Sequence, residues 1–279
     1  MLCRVGYGVR GEFFGMGADA GPTDLSLKAV LPSTVADLDA TMVGSYAGTG
    51  TTWANLVASP ADGAAQTAYD FSRGDGTTGT TYPTFTGTAG DAAAYFALDG
   101  GDYFRLASGT NTAFLQNLTK TTGGADFWLG FAVRGADWSG VQRLFNGGAD
   151  SAPAGWCSAY VNGGIVYLAQ RGTSAASVSS GVVLSTNTDY LILISHSHAN
   201  NRTRFWINST TAVSVTHNFS TNTSAMPLMA AYAETDAGFA LKNGARVYGL
   251  YIGNEDLDNT KAAALITALE TRHGRNYAT

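Results

Sequence analysis

The stretch that most restricts the fold is the eight-residue run FWLGFAVR, Phe127 to Arg134. Laid out as an extended chain, it puts Phe127, Leu129, Phe131 and Val133 on one side and Trp128, Gly130, Ala132 and Arg134 on the other. Four large apolar side chains at a period of two describe a β-strand, and a face this apolar has to be covered by another layer. After a loop from Gly135 to Gly140 the chain resumes with Val141, Arg143 and Phe145 alternating against Gln142, Leu144 and Asn146. That pattern predicts the returning arm of an antiparallel pair.

Short runs of the same kind recur along the chain, separated by clusters of Gly, Asp, Thr and Pro. Strands are predicted near residues 37–43, 68–71, 82–86, 156–161, 165–170, 189–198, 202–208, 211–217, 227–232 and 245–253. Within residues 93–107, Asp99-Gly100-Gly101-Asp102 reads as a hairpin turn, and Asn162-Gly163-Gly164 reads as another. Residues 189–194 are apolar on both faces, the mark of a strand covered on each side. Residues 111–118 suit a helical turn or two, and one longer helix closes the chain. There Asp258 and Asn259 offer capping oxygens, Ala262, Leu265, Ile266 and Leu269 form one apolar stripe, and His273-Gly274 makes a stop. About a dozen strands and no repeated βαβ unit predict an all-β sandwich or jelly roll with the helix against the outside of a sheet.

With 279 residues, 45% of them apolar, residues 35–279 can fill a single all-β domain. Residues 1–34 differ: six glycines by position 21 and the Phe13-Phe14 pair predict an irregular arm, either a strap across the domain or an anchor for another subunit. A net charge of -5 with sixteen scattered Lys and Arg gives a phosphate backbone little to grip, so nucleic acid is not an expected partner. Cys3 and Cys157, the only cysteines, read as two reduced thiols. Glycines interrupt the N-terminus before a signal-length apolar run, and the longest such run, residues 190–194, is far short of a membrane span. Synthesis in the cytoplasm without membrane insertion is expected.

Little in the sequence favours catalysis. Of the four glutamates, only Glu234, in Glu234-Thr235-Asp236, has an acid two residues away, short of the three alternating carboxylates that glucanases on β-sandwiches use. Asp37 and Asp39 share a strand face but read as turn or surface residues. There is no GxSxG, HExxH or phosphate loop. His196 and His198 lie on one strand face, a spacing zinc can use, yet a third ligand would have to come from His217 or a distant carboxylate, and a solvated strand end is the expected reading.

The order of an aromatic strand, Leu98-Asp99-Gly100-Gly101-Asp102-Tyr103-Phe104, the 127–134 strand, and Tyr251-Ile252-Gly253 leading into an amphipathic helix resembles the concanavalin A-like lectin/glucanase fold, and within it the LamG-type jelly rolls. The resemblance spans roughly residues 35–275. It implies a surface part of a tailed phage or gene transfer agent particle, a head spike or tail fibre, that binds host glycans. It also leaves calcium open as a cofactor, with Asp99 and Asp102 as candidate ligands and Asp137, Asn146 and Asp150 as further loop oxygens. For sugar contact, loop aromatics and nearby amides or carboxylates are the useful chemistry. Trp138 and Trp156, with Asp137, Asn146 and Asp150, are the candidate carbohydrate-binding residues. The expected protein is a non-enzymatic homo-oligomer or multi-copy assembly on the virion surface, joined to other virion proteins through residues 1–34. A purely structural connector and a capsule depolymerase using Glu234 or Asp236 are the alternatives.

Overall fold

The computed structural model describes residues 26–147, 153–217, 219–233 and 238–278. In chain order its elements begin with α1 (Leu27–Val30), β1 (Thr34–Asp39), β2 (Thr52–Trp53), β3 (Phe71–Arg73), β4 (Thr84–Thr86), β5 (Tyr95–Leu98), β6 (Phe104–Leu106) and α2 (Ala113–Gln116). They continue with β7 (Phe127–Arg134), β8 (Val141–Gly147), β9 (Cys157–Asn162), β10 (Ile165–Arg171), β11 (Ala175–Val183) and β12 (Asp189–Ser197). The last are β13 (Arg202–Ile207), β14 (Val213–Thr216), β15 (Met229–Ala231), β16 (Ala245–Gly253) and α3 (Asn259–His273). Two sheets result. Sheet A has the order β14-β13-β12-β7-β16-β5-β4, with β1 beside β5 on the same flank of β16, and sheet B has the order β11-β10-β9-β8-β15-β6-β3-β2. Every pairing is antiparallel. This is the jelly-roll sandwich expected. Among the described residues, no helix is long and apolar enough to cross a membrane.

The apolar row of β7, Phe127, Leu129, Phe131 and Val133, lies between the sheets, against Phe104, Phe145, Val161 and Leu168 of sheet B. Two expected hairpins are corrected by this packing. β7 and β8 are not paired arms, because β7 is central in sheet A and β8 lies in sheet B. The Asp99–Asp102 turn likewise carries the chain from β5 in sheet A to β6 in sheet B. In both places local alternation identified the buried face correctly. What it could not say was that the next strand would face that row across the core instead of lying beside it. The other predicted turn holds: β9 and β10 pair around Gly163 and Gly164, whose φ values of 57° and 82° suit the tight turn between twisted strands. β13 and β14 also pair.

Helix α3 seals the opposite face of sheet A. Its Asp258 cap accepts from the Lys261 N–H at 2.9 Å and Gly274 ends it at φ 58°. Leu265, Ile266 and Leu269 pack on Trp128, Ala132, Leu191, Leu193 and Tyr251, each such side chain contributing about 1.5–3 kcal/mol on burial. Leu27 and Leu31 join this cluster, so residues 26–33 lie against the sandwich. Residues 1–25, most of the expected arm, are outside the described residues.

Beneath the helix lies a charged network. Asp37 and Asp39 are fully buried, not turn or surface residues. Arg272 grips Asp37 through Nη1 at 2.7 Å and Nη2 at 3.1 Å, and also reaches Asp39 at 3.1 Å. His273 Nε2 and the Tyr251 hydroxyl each lie 2.9 Å from Asp39 Oδ2. Burial by itself would raise the Asp39 carboxyl, but the His273 imidazole and the Arg272 guanidinium outweigh it and hold that carboxyl well below its usual value.

Two outcomes follow. Arg272→Met leaves buried carboxylates without their cation and should cost about 3–5 kcal/mol in urea denaturation, with part recovered when Asp37→Leu is added. Because Asp39 is depressed in the folded state, its contribution is complete above the unfolded carboxylate pKa of about 4 and is lost as pH falls below it. Acid titration followed by circular dichroism should therefore show stability declining from about pH 4 downward, and declining less in Asp39→Asn.

Candidate functional site

The residues singled out for sugar contact separate into two groups at opposite ends of β8. Trp138, in the β7–β8 link, is folded inward and only 3% exposed. Its indole covers Gly135, where a Cβ would come within 2.4 Å of the ring, and its Nε1–H donates to the Ser185 carbonyl at 3.2 Å. Asp137 beside it spends its carboxylate on the Ser139 N–H and hydroxyl, at 2.8 and 2.7 Å. Trp156 is 5% exposed, and its Nε1–H donates to Asn146 Oδ1 at 2.8 Å. Neither indole therefore offers an open face for a sugar, a correction to the loop reading of both. Asp150, Glu234 and Asp236 lie outside the described residues.

The Asp99 and Asp102 carboxylates are turn-building groups. Asp99 Oδ1 accepts from Gly101 N–H at 3.0 Å, and Asp102 Oδ2 accepts from Asp99 N–H at 2.9 Å. Burial, with Asp99 close by, pushes Asp102 up to about 6. Calcium takes about six to eight oxygens, and two carboxylates already engaged with the backbone do not fit it. Among the described residues no three His, Cys, Asp or Glu side chains converge as metal ligands would.

Sheet B differs from sheet A in having, among the described residues, no helix over its outer face. Side chains alternate along β9 and β10, so Cys157, Ala159 and Val161 enter the core while Ser158 and Tyr160 point outward. Tyr160 and Tyr167 are direct cross-strand partners, and their rings stack at 5.0 Å with 7° between planes. Arg143 on β8 is paired with Tyr160, and its guanidinium lies 5.1 Å from that ring, 5.2 Å from Trp156 and 5.3 Å from Phe239. Phe239 is 40% exposed. The outcome is a partly open aromatic surface stiffened from below by a cation, with Trp156 and Asn146 at its inner margin.

Alternation had placed Arg143 and Asn146 on opposite faces. Leu144 is a bulge residue: Arg143 pairs with Tyr160, Phe145 with Ala159, and Asn146 with Ser158, leaving Leu144 unmatched. Leu144 and Phe145 both enter the core, and Arg143 and Asn146 share the outer side of the strand, both buried there. The tyrosine pair was missed for a different reason. Its signal, tyrosines at matched positions on either side of a Gly-Gly turn, is present in the sequence, but is less conspicuous than the tryptophans in glycine-rich loops.

A second feature lies between the sheets at the end where β10 and β12 finish. Thr119, Thr121, Gln170, His196, His198, Asn201 and Phe219 surround a pocket of about 110 Å³. His196 is 2% exposed, not a solvated strand end. Burial, followed by the nearby His198 and His217, pushes its imidazole down to about 3, so the ring is neutral near pH 7. Gln170 is also 2% exposed, and neither its Nε2 nor its Oε1 has a hydrogen-bond partner. Each unpaired buried group of this kind costs about 1–3 kcal/mol.

No protein-family model matches the chain, and no curated protein sequence matches it. Solved structures do share its architecture. The binding domain of Paraclostridial Mosquitocidal Protein 1 superposes with a TM-score of 0.57 at 10% identity, over 86% of this chain and 53% of that one. Botulinum neurotoxin type C, in a structure described by the dependence of its cell entry on two ganglioside molecules, gives 0.58 at 10% identity, over 88% and 53%. Trypanosoma rangeli sialidase in complex with sialic acid gives 0.56 at 11% identity, over 86% and 33%. The chain thus spans about half of each toxin chain and a third of the sialidase, and at these identities the likeness is one of fold.

Because Trp138 is a core residue, Trp138→Ala should lower stability by about 3–5 kcal/mol, read as a fall in melting temperature.

Proposed function

We propose that this chain is a glycan-binding module that acts without turning over its ligand, and that it recognises surface polysaccharide with the outer face of sheet B. The observation that carries this reading is the stacked, half-buried Tyr160–Tyr167 pair on the outer face of sheet B. Sugar rings present C–H faces that pack on aromatic rings, while their hydroxyls need donors and acceptors around the rim. Arg143, held among Tyr160, Trp156 and Phe239, fixes the platform before a ligand arrives and so reduces the ordering cost of binding. Asn146, already tied to Trp156, sits at the margin of the same face. The shared fold adds support, since its other bearers include a toxin structure described by gangliosides and a sialidase holding sialic acid.

The finer proposal places the module on a virion surface, in several copies, with residues 1–34 as its attachment to other virion proteins. A platform of two tyrosines binds a single sugar weakly, and several copies acting together would raise the avidity. This placing rests on the resemblance to phage-type jelly rolls and on the glycine-rich composition of residues 1–34.

A glycan array followed by titration tests the reading. Tyr160→Ala and Tyr167→Ala should each weaken polysaccharide binding by roughly ten-fold or more with little change in melting temperature. Retained binding in the double variant would remove the platform, and reducing ends released from the bound polysaccharide would assign turnover instead. Immunogold labelling of particles tests the virion placing, and a version lacking residues 1–25 should fail to incorporate.

A further inference from the structure

The inner rows of the two sheets are apolar until they reach one end. On β10 the row is Val166, Leu168 and then Gln170, and on β12 it is Ile192, Ile194 and then His196. Both rows turn polar at the same mouth, where Phe219 lies 5.1 Å from His196 and His198 lies 4.6 Å from it. A sandwich closed only for stability would end these rows in apolar or mutually bonded side chains. Here the carboxamide of Gln170 faces the space with its donor and its acceptor both unused.

We propose that this mouth is a second binding site, distinct from the outer face of sheet B, and that it takes the vicinal-diol edge of a neutral sugar. Two adjacent hydroxyls supply one acceptor and one donor together, which is the complement of a carboxamide. None of the neighbouring polar groups bonds to Gln170, and most are engaged elsewhere. Thr119 Oγ1 donates to the Gly155 carbonyl and accepts from Asn222 Nδ2, at 2.9 and 3.0 Å. Thr121 Oγ1 accepts from the Asn222 N–H at 2.9 Å and donates to the Asn222 carbonyl at 3.1 Å. His198 Nε2 donates to the Leu118 carbonyl at 2.7 Å. These bonds make a fixed wall and leave the amide for a guest.

Size and charge narrow that guest. A pocket of about 110 Å³ has room for several waters or the edge of one ring, so it suits a chain end and not an internal stretch of polysaccharide. Phe219 offers an apolar surface for the ring C–H groups. Among the described residues no Asp, Glu, Lys or Arg lines the space, so a sugar carboxylate would find no cation there.

The test is an imidazole-detected NMR titration of the whole protein with glucose, galactose, mannose and N-acetylglucosamine, with glucuronate as the charged control. At least one neutral sugar should shift the His196 and His198 ring signals saturably, and glucuronate should bind roughly ten-fold more weakly or not at all. Gln170→Met keeps the side-chain length and removes the unpaired amide, so it should fold at least as stably while losing roughly ten-fold or more of the sugar affinity. Tyr160→Ala should leave these shifts unchanged, which separates this site from the platform. If no neutral sugar moves the ring signals, or if Gln170→Met binds as tightly as the parent, the mouth holds water alone and the proposal fails.

Discussion

Four large apolar side chains standing in a row on β7 can leave water only beneath a second sheet, and most of the architecture answers that requirement. At about 1.5–3 kcal/mol for each side chain buried, Phe127, Leu129, Phe131 and Val133 reward a chain that crosses the core after Arg134 over one that folds back beside itself. The crossing puts β8 in sheet B and fixes which face of every later strand is inside. Sheet A still has a second apolar face, with Trp128, Leu191, Leu193 and Tyr251 on it, and α3 covers that face. Sheet B has no such demand. Its outward Tyr160 and Tyr167 are half-buried, so part of that face is left to water or a ligand. The side available for recognition is thus a consequence of where the apolar residues were spent.

Much of this could be read from the residues alone, and the misses have a common cause. Period and turn chemistry located β7, the Gly163-Gly164 hairpin, the doubly covered β12 and both caps of α3, because each depends on residues close together in the chain. Which sheet a strand joins depends on distant packing, so the β5–β6 and β7–β8 links were taken for hairpins. Asp37 and Asp39 could be understood as buried only with Arg272 in view, and that partner lies 235 positions from Asp37. Trp138 and Trp156 looked available because glycine and proline surround them, yet glycine was what allowed the Trp138 ring to settle against the Gly135 backbone. The Gln170 pocket was hidden for the same reason, since it is made where strands of the two sheets meet, whereas the tyrosine pair sits on a hairpin whose turn was legible.

The two proposed surfaces ask different things of their surroundings. At the outer platform Arg143 is shared among three rings, which would hold it in place for a long flat ligand. The mouth between the sheets is lined by Thr119, Thr121 and His198, each already bonded to backbone, and would favour what can satisfy one amide. The toxin and sialidase structures have the same sandwich at about a tenth of the residues identical. A scaffold held by inward-facing rows leaves its outward-facing positions free to change.

The unmatched position in β8 has one further consequence. Leu144 has no counterpart on β9, whereas Arg143, Phe145 and Asn146 each do. Excising it would restore a plain two-residue repeat and keep every remaining side chain on its present side, at the expense of a void where its own atoms pack. Chains of this architecture can therefore differ in length by one at that point without exchanging inside for outside. The spare residue adds local twist to the strand immediately beside Arg143.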